Sequence, residues 1–137
     1  MTTILLVEDH ELNRYVLSKL LKKMGFDVQL AINGADSIEK AQTEAIDLIL
    51  MDMNLPDIGG WEVIGILKSS DVLKHIPIIG LSAHTDGPKV EQAKSNGCDD
   101  FDTKPIDLER LVRKIAKFLP AELMPSGTQR YMKGAEV

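Results

Sequence analysis

Two short apolar runs in this sequence end on acids. Leu48 to Met51 stops at Asp52, and Ile4 to Val7 is followed at once by Glu8 and Asp9. A third run, Ile78 to Leu81, ends on the hydroxyl of Ser82, and a weaker one, Asp100 to Thr103, ends on Lys104. Runs this short have the length of strands buried on both faces of a parallel sheet. The carboxyl ends of such strands form the edge where open α/β sheets bind ligands. Three carboxylates within a few ångströms repel one another, so one must take up a proton unless a cation intervenes. Mg²⁺ is the cation that fits, because it prefers hard oxygen ligands and works with one or two carboxylates plus a phosphate. Phosphoryl transfer is catalysed mainly by positioning and by stabilising charge on the equatorial oxygens, and a carboxylate can serve as its nucleophile, forming an acyl phosphate. The residues therefore read as follows: Asp52, at the tip of the central strand, is the nucleophile; Glu8 and Asp9 hold Mg²⁺; Lys104 and Ser82 receive the phosphoryl oxygens. Taken singly, an Asp or Ser at a strand end is as readily a helix cap, and a Lys a solvated side chain. Only their joint placement at successive strand ends sets the chemical reading apart.

The elements that must position these groups alternate. Leu12, Val16 and Leu20, with Tyr15, Leu17, Leu21 and Met24, recur at helical spacing from about His10 to Met24, and Gly25 stops the helix. Phe26 to Ile32 alternates Val28, Leu30 and Ile32, which predicts a second strand near an edge. Asn33-Gly34 breaks it, and Ala35, Ile38, Ala41 and Ala45 mark the face of a second helix. After the Asp52 strand, the turn formers Leu55 to Gly60 lead into a third helix with Trp61, Val63, Ile64 and Leu67; Trp61 is expected to be partly exposed. Pro77 introduces the fourth strand. Asp86-Gly87-Pro88 opens a fourth helix and Asn96-Gly97 closes it, with only Val90 and Ala93 between them as an apolar face. That helix is expected to be the least firmly packed. Asp107 caps a last helix carrying Leu108, Leu111, Val112, Ile115 and Leu119, and Pro120 closes it.

Five strand-helix units in succession predict an α/β fold, a flavodoxin-like (βα)5 doubly wound parallel sheet of strand order 2-1-3-4-5. Strands 1 and 3 are then neighbours, which brings Glu8, Asp9 and Asp52 to the switch point. Residues 1–120 form one domain on this reading, and residues 121–137, which show no periodicity, form a flexible C-terminal tail too short for an output domain. The net charge of −5 argues against unaided binding to nucleic acid or to an anionic membrane. One cysteine, Cys98, cannot form an internal disulfide, and the first residues carry no basic segment ahead of an apolar one. Both point to a cytoplasmic protein.

Val7-Glu8-Asp9, Leu50 to Pro56, Leu81-Ser82-Ala83 and Thr103-Lys104-Pro105 resemble, in order, the signature blocks of the receiver domain of two-component response regulators. The similarity runs from about Thr2 to Leu119 and is to the stand-alone, chemotaxis-regulator-like type. It implies that Asp52 accepts a phosphoryl group from a histidine kinase or phosphotransfer protein. It also implies that the carbonyl of Asn54 joins Glu8, Asp9 and Asp52 around Mg²⁺, and that Lys104-Pro105 is a cis peptide. Phe101 matches the aromatic switch position, often Tyr, and without a hydroxyl it can make no hydrogen bond there; a plain core residue is the alternative reading. On this resemblance, phosphorylation is expected to draw Ser82 to the phosphoryl group and Phe101 to fill the vacated space, changing the surface of helix 4, strand 5 and helix 5. That surface would dock a downstream protein, or the domain would relay phosphate, as a monomer or weak dimer. The first helix, which often meets the phosphodonor in such proteins, offers Asn13, Arg14 and Lys22 outward. His84, two residues past Ser82, reads as a solvated loop residue, with a role in tuning hydrolysis as the alternative.

Three rival readings have discriminating features. A small Mg²⁺-dependent aspartyl phosphatase would want a second Asp two residues after the nucleophile, where this chain has Asn54. A degenerate receiver acting as a constitutive binding module would lack some of the five chemical positions, and all are filled. A nucleotide or flavin binder would need a glycine-rich loop after strand 1, where Glu8 and Asp9 would repel its phosphates. The chain is thus expected to be a phosphoacceptor signalling protein rather than an enzyme acting on a separate substrate.

Overall fold

The structure is a computed structural model that describes residues 1–83 and 87–132. The expectations for His84, and for Asp86 at the entry to the fourth helix, lie outside the described residues. Along the chain the elements are β1 (Thr3–Val7), α1 (Glu11–Met24), β2 (Asp27–Ala31), α2 (Gly34–Thr43), β3 (Leu48–Asp52) and α3 (Gly60–Lys68), then β4 (Ile78–Ser82), α4 (Pro88–Ser95), β5 (Asp100–Thr103) and α5 (Leu108–Phe118). The five strands are parallel and ordered β2-β1-β3-β4-β5, as the strand-helix alternation predicts.

Because side chains alternate across a strand, each central strand feeds two cores. Leu5, Val7, Ile49 and Met51 point to one face, where Ala41 of α2, Val63, Ile64 and Leu67 of α3, and Val90 and Ala93 of α4 cover them. Ile4, Leu6, Leu48, Leu50, Ile79 and Leu81 point to the other, under Leu17 and Leu21 of α1 and Leu111, Val112 and Ile115 of α5. β3 and β4 are buried along their whole length, which explains why they read as unbroken apolar runs. Asp107 caps α5 as expected, accepting from the Arg110 N–H, and Asn33, read only as a strand breaker, also caps α2, its Oδ1 accepting from the Asp36 N–H. Gly25 ends α1 with φ +111°, a left-handed conformation that favours glycine.

Four details differ from the sequence reading. In α1 the buried face is Leu17, Ser18, Leu21 and Met24, while Leu12, Tyr15 and Val16 are exposed. In α2 it is Gly34, Ser37 and Ala41; Ala35 is exposed and Ala45 lies beyond the helix. Gly34 sits where a Cβ would come within 3.0 Å of Ile58 and Val63, so small residues fill this face and apolarity alone does not mark it. In β2, Val28 and Ala31 are buried and Ile32 is exposed just past the strand end. The segment after α5, read as a flexible tail from residue 121, is instead folded through residue 132. It forms 3-10 turns at Ala121–Leu123 and Ser126–Tyr131, and Leu123, Met124, Tyr131 and Met132 pack on the α1/α5 core. Thr128 there is fully buried, and the Thr2 hydroxyl donates to the Leu123 carbonyl. Packing supplied by α1 and α5 outweighs the weak local propensity of such a sequence. The remaining expectation, that Trp61 is partly exposed, agrees with its intermediate burial.

Candidate functional site

The parallel register of β1 and β3 pairs Val7 with Met51, so the residues that follow, Glu8 and Asp52, emerge side by side. Glu8 is buried and Asp52 is only 2% exposed, whereas Asp9 faces solvent. One carboxylate oxygen from each of Glu8, Asp9 and Asp52 lies within 4.8 Å of the others. Across the crevice β5 ends beside β4, with Thr103 paired to Ser82, and the Lys104 N–H donates to the Ser82 carbonyl at 2.8 Å. From there Lys104 Nζ reaches Glu8 Oε1 at 3.0 Å and Asp52 Oδ1 at 3.2 Å. The structure thus gathers at one sheet edge the five residues picked from the strand ends, Ser82 standing buried at the end of β4. The Lys104-Pro105 peptide is cis.

Several backbone groups hold this arrangement. The Asn54 N–H donates to Asp52 Oδ1 at 3.1 Å and the His10 N–H to Glu8 Oε2 at 3.3 Å. Asn54 itself is exposed beside the crevice. Asp57 accepts from the N–H groups of Gly34 and Ala35 at 2.8 and 3.0 Å, which ties the β3–α3 loop to the first turn of α2. Those N–H bonds hold the Asp57 carboxyl below its ordinary value. Arg14 does not point outward as the sequence suggested. Its Nη1 donates to the carbonyls of Glu8 at 2.9 Å and Asp9 at 3.2 Å, pinning the loop that carries both acids. Its place in the first turns of the helix after an acidic loop is the signal the sequence offers for this role.

The electrostatics are unbalanced. Burial pushes the Asp52 pKa up, and a hydrogen bond and the charge of Glu8 push it further, against the Asn54 N–H and Lys104, which pull it down. Lys104 is the mirror case. Burial alone would lower its pKa, but Asp52 and Glu8 together hold it above 10.5. Among the described residues, three carboxylates therefore face one ammonium, which leaves the crevice short of positive charge. The donors are carboxylate oxygens, hard ligands in a half-open setting, and this set fits a divalent cation that keeps several waters.

Phe101 is buried on the α4 side of the sheet, and a Cβ on Gly80 would come within 2.8 Å of its ring, so that position in β4 has no room for a side chain. Lys94 Nζ of α4 lies 5.9 Å from the ring centroid. On the α1 side, Leu12 at 62% and Val16 at 47% exposure line an apolar groove of about 310 Å³ with Leu20, Ile106 and Leu108, next to Glu8 and Lys104.

Fold and site together define a doubly wound α/β domain with a cation-ready acidic crevice at its switch point. The response regulator receiver domain family matches residues 4–116, and the chain belongs to that family. It is 34% identical over 117 residues to the polar-differentiation response regulator DivK of Brucella anthropi, covering 85% of this chain and 95% of the relative. Among solved structures it is similar to the chemotaxis protein CheY4 of Vibrio cholerae, with 28% identity, a TM-score of 0.81, and 87% of this chain and 99% of that one covered. It is also similar to the receiver domain of the sensor histidine kinase PA1611 of Pseudomonas aeruginosa, at 29% identity and a TM-score of 0.80, covering 85% and 96%. That structure has a magnesium ion coordinated in its active-site cleft. Among the described residues no helix is long and apolar enough to cross a membrane.

Proposed function

We propose that Asp52 is the phosphoacceptor of this receiver domain and that it takes its phosphoryl group from a histidine kinase or phosphotransfer protein. In that step a carboxylate oxygen of Asp52 attacks phosphorus, the bond from phosphorus to the donor imidazole nitrogen breaks, and an acyl phosphate forms. The observation that carries the reading is the buried Asp52 carboxylate, crowded by Glu8 and Asp9 and met by the Lys104 ammonium. Glu8, Asp9, Asp52 and the Asn54 carbonyl would hold Mg²⁺, which when bound neutralises the crowded acids and takes up charge on the phosphoryl oxygens. Lys104 would exchange its present partners for a phosphoryl oxygen, and Ser82 would receive another. The apolar groove beside α1 is the natural seat for the helix that presents the donor histidine, because it lies next to Lys104 and is lined by exposed Leu12 and Val16.

Signal would leave by α4, β5 and α5 toward a downstream protein, or the phosphoryl group would be passed on in a relay. Phe101 is already buried, so its part is a shift within the packing under α4 rather than an inward swing. The reading makes the chain a cytoplasmic signalling protein whose only chemistry is its own phosphorylation and dephosphorylation. Incubation with acetyl phosphate and Mg²⁺ should add one hydroxylamine-sensitive phosphoryl group, and Asp52→Asn should add none. Equal labelling of both proteins would overturn the assignment. Transfer from a panel of phosphorylated kinases would then identify the donor.

A further inference from the structure

Among the described residues, one carboxylate outside the acidic crevice is buried where an apolar side chain would be the ordinary choice. β5 turns Phe101 toward α4, so its neighbour Asp102 points to the opposite face, beneath α5. Asp102 is 1% exposed, and its Oδ2 has no hydrogen-bond partner among the described residues. Its Oδ1 accepts from Arg110 Nε at 2.5 Å and from the Thr103 N–H at 2.9 Å. Arg110, in the first turn of α5, also donates from Nη2 to the carbonyl and the hydroxyl of Thr103, each at 3.2 Å. An ionised carboxylate in such a place is costly, and an apolar residue would pack there without that cost. What the pair adds is location: one guanidinium fork grips two successive residues of one strand, a geometry that a lysine point charge cannot reproduce.

The next residue is Lys104. Its N–H is fixed to the Ser82 carbonyl and its Nζ stands over Asp52 and Glu8. We propose that Arg110 is a positioning residue for phosphoryl transfer, anchoring the end of β5 through Asp102 and Thr103 and thereby setting where Lys104 meets Asp52. The proposal rests on Asp52 being the phosphoacceptor. It also gives α5 a mechanical link to the site that does not pass through Phe101.

The test compares labelling rates with acetyl phosphate at saturating Mg²⁺ for the parent, Lys104→Ala, and the double variant Asp102→Val/Arg110→Leu, which replaces the buried pair with apolar side chains and leaves no orphaned charge. The double variant should melt no lower than the parent and bind Mg²⁺ within about twofold of it, yet label roughly tenfold more slowly, the scale expected for a misplaced reacting group. In the Lys104→Ala background the same double change should slow labelling by less than about twofold, because residues acting through one another are not additive. Arg110→Lys, which keeps the charge pair and loses the grip on Thr103, should be slowed as well, and it carries the same prediction if the double variant does not fold. Parental rates in the double variant and in Arg110→Lys would overturn the proposal while leaving Asp52 in its role, as would an equal slowing with and without Lys104. A parent protein that takes no label would instead remove the Asp52 reading and this inference with it.

Discussion

The two ends of the sheet are built on opposite principles. At the carboxyl edge, Glu8 and Asp52 are buried side by side and, among the described residues, answered by the ammonium of Lys104. At the amino edge, the chain after α5 folds back over α1 and α5: Leu123 and Met124 join the core, the Thr2 hydroxyl donates to Leu123, and Pro125 sits so close to Gly25 that a Cβ there would lie 2.8 Å from it. One end stores unfavourable charge for chemistry, and the other supplies apolar burial that offsets it. Stability and reactivity are thereby assigned to different ends of the same strands.

Substitutions that act on one end alone should separate the two. Asp52→Asn should lower phosphoryl labelling by at least about a thousandfold, the scale of losing a covalent nucleophile. It should also raise stability by about 1 kcal/mol in urea, because it removes a buried charge crowded by Glu8; a marked loss of stability would contradict the strain assigned to that end. Truncation after Pro120 should do the reverse. It should cost about 3 kcal/mol of unfolding free energy through loss of the partly buried Leu123, Met124, Tyr131 and Met132, with the labelling rate of the folded protein unchanged. A truncated protein of undiminished stability would show the brace to be dispensable.

Cys98, just before β5 at the amino edge, sharpens the contrast. Burial pushes its thiol up to about 11, and the thiol stands within hydrogen-bond reach of the Ile78 and Asp100 carbonyls, which it can donate to. Alkylation by iodoacetamide at pH 8 should be about a hundredfold slower than for an ordinary cysteine, in line with the reduced thiolate fraction, and should reach the free-cysteine rate only on unfolding.

The smallest effect concerns pH. The Asp52 pKa is raised in the folded state, so its contribution to stability is present in full below the ordinary value of 3.8 and is lost as pH rises through the raised value. Mg²⁺ at ten times its dissociation constant should restore about 1.4 kcal/mol. At equal total Mg²⁺ the gain should be larger at pH 7 than at pH 5, where protons compete for the same oxygens. Melting curves with equal gains at both values would speak against a shared acidic site.

Most of the architecture was legible because β1, β3 and β4 are buried on both faces and so appear as unbroken apolar runs ending on reactive residues. That Glu8 and Asp52 lie at neighbouring strand tips follows from the strand order and from each acid standing at the carboxyl end of its apolar run. The helix faces were harder. α1, at about 21 Å, is longer than the five-residue strand beneath it, about 17 Å, so its first turns overhang the sheet. Leu12 and Val16 therefore line a groove at the site although their spacing matches a core face. The buried Ser37 and Gly34 of α2 carry no apolar signal. The terminal 3-10 turns lack the 3.6-residue period, which hid their packing. Arg110 and Asp102 carry no local mark that separates a charge folded back onto a strand end from one that stays in water, whereas Arg14 is marked only by its place just after the acidic loop.

The most direct measurement locates the phosphoryl group itself. Protein labelled by a small phosphodonor with Mg²⁺ is reduced with borohydride, which traps an acyl phosphate, and the modified peptide is mapped by mass spectrometry. The expected result is a single modification at Asp52 that vanishes when EDTA replaces Mg²⁺. Modification at Glu8 or Asp9, or labelling of Asp52 that persists with EDTA, would contradict the assignment of one nucleophile among acids that share a metal.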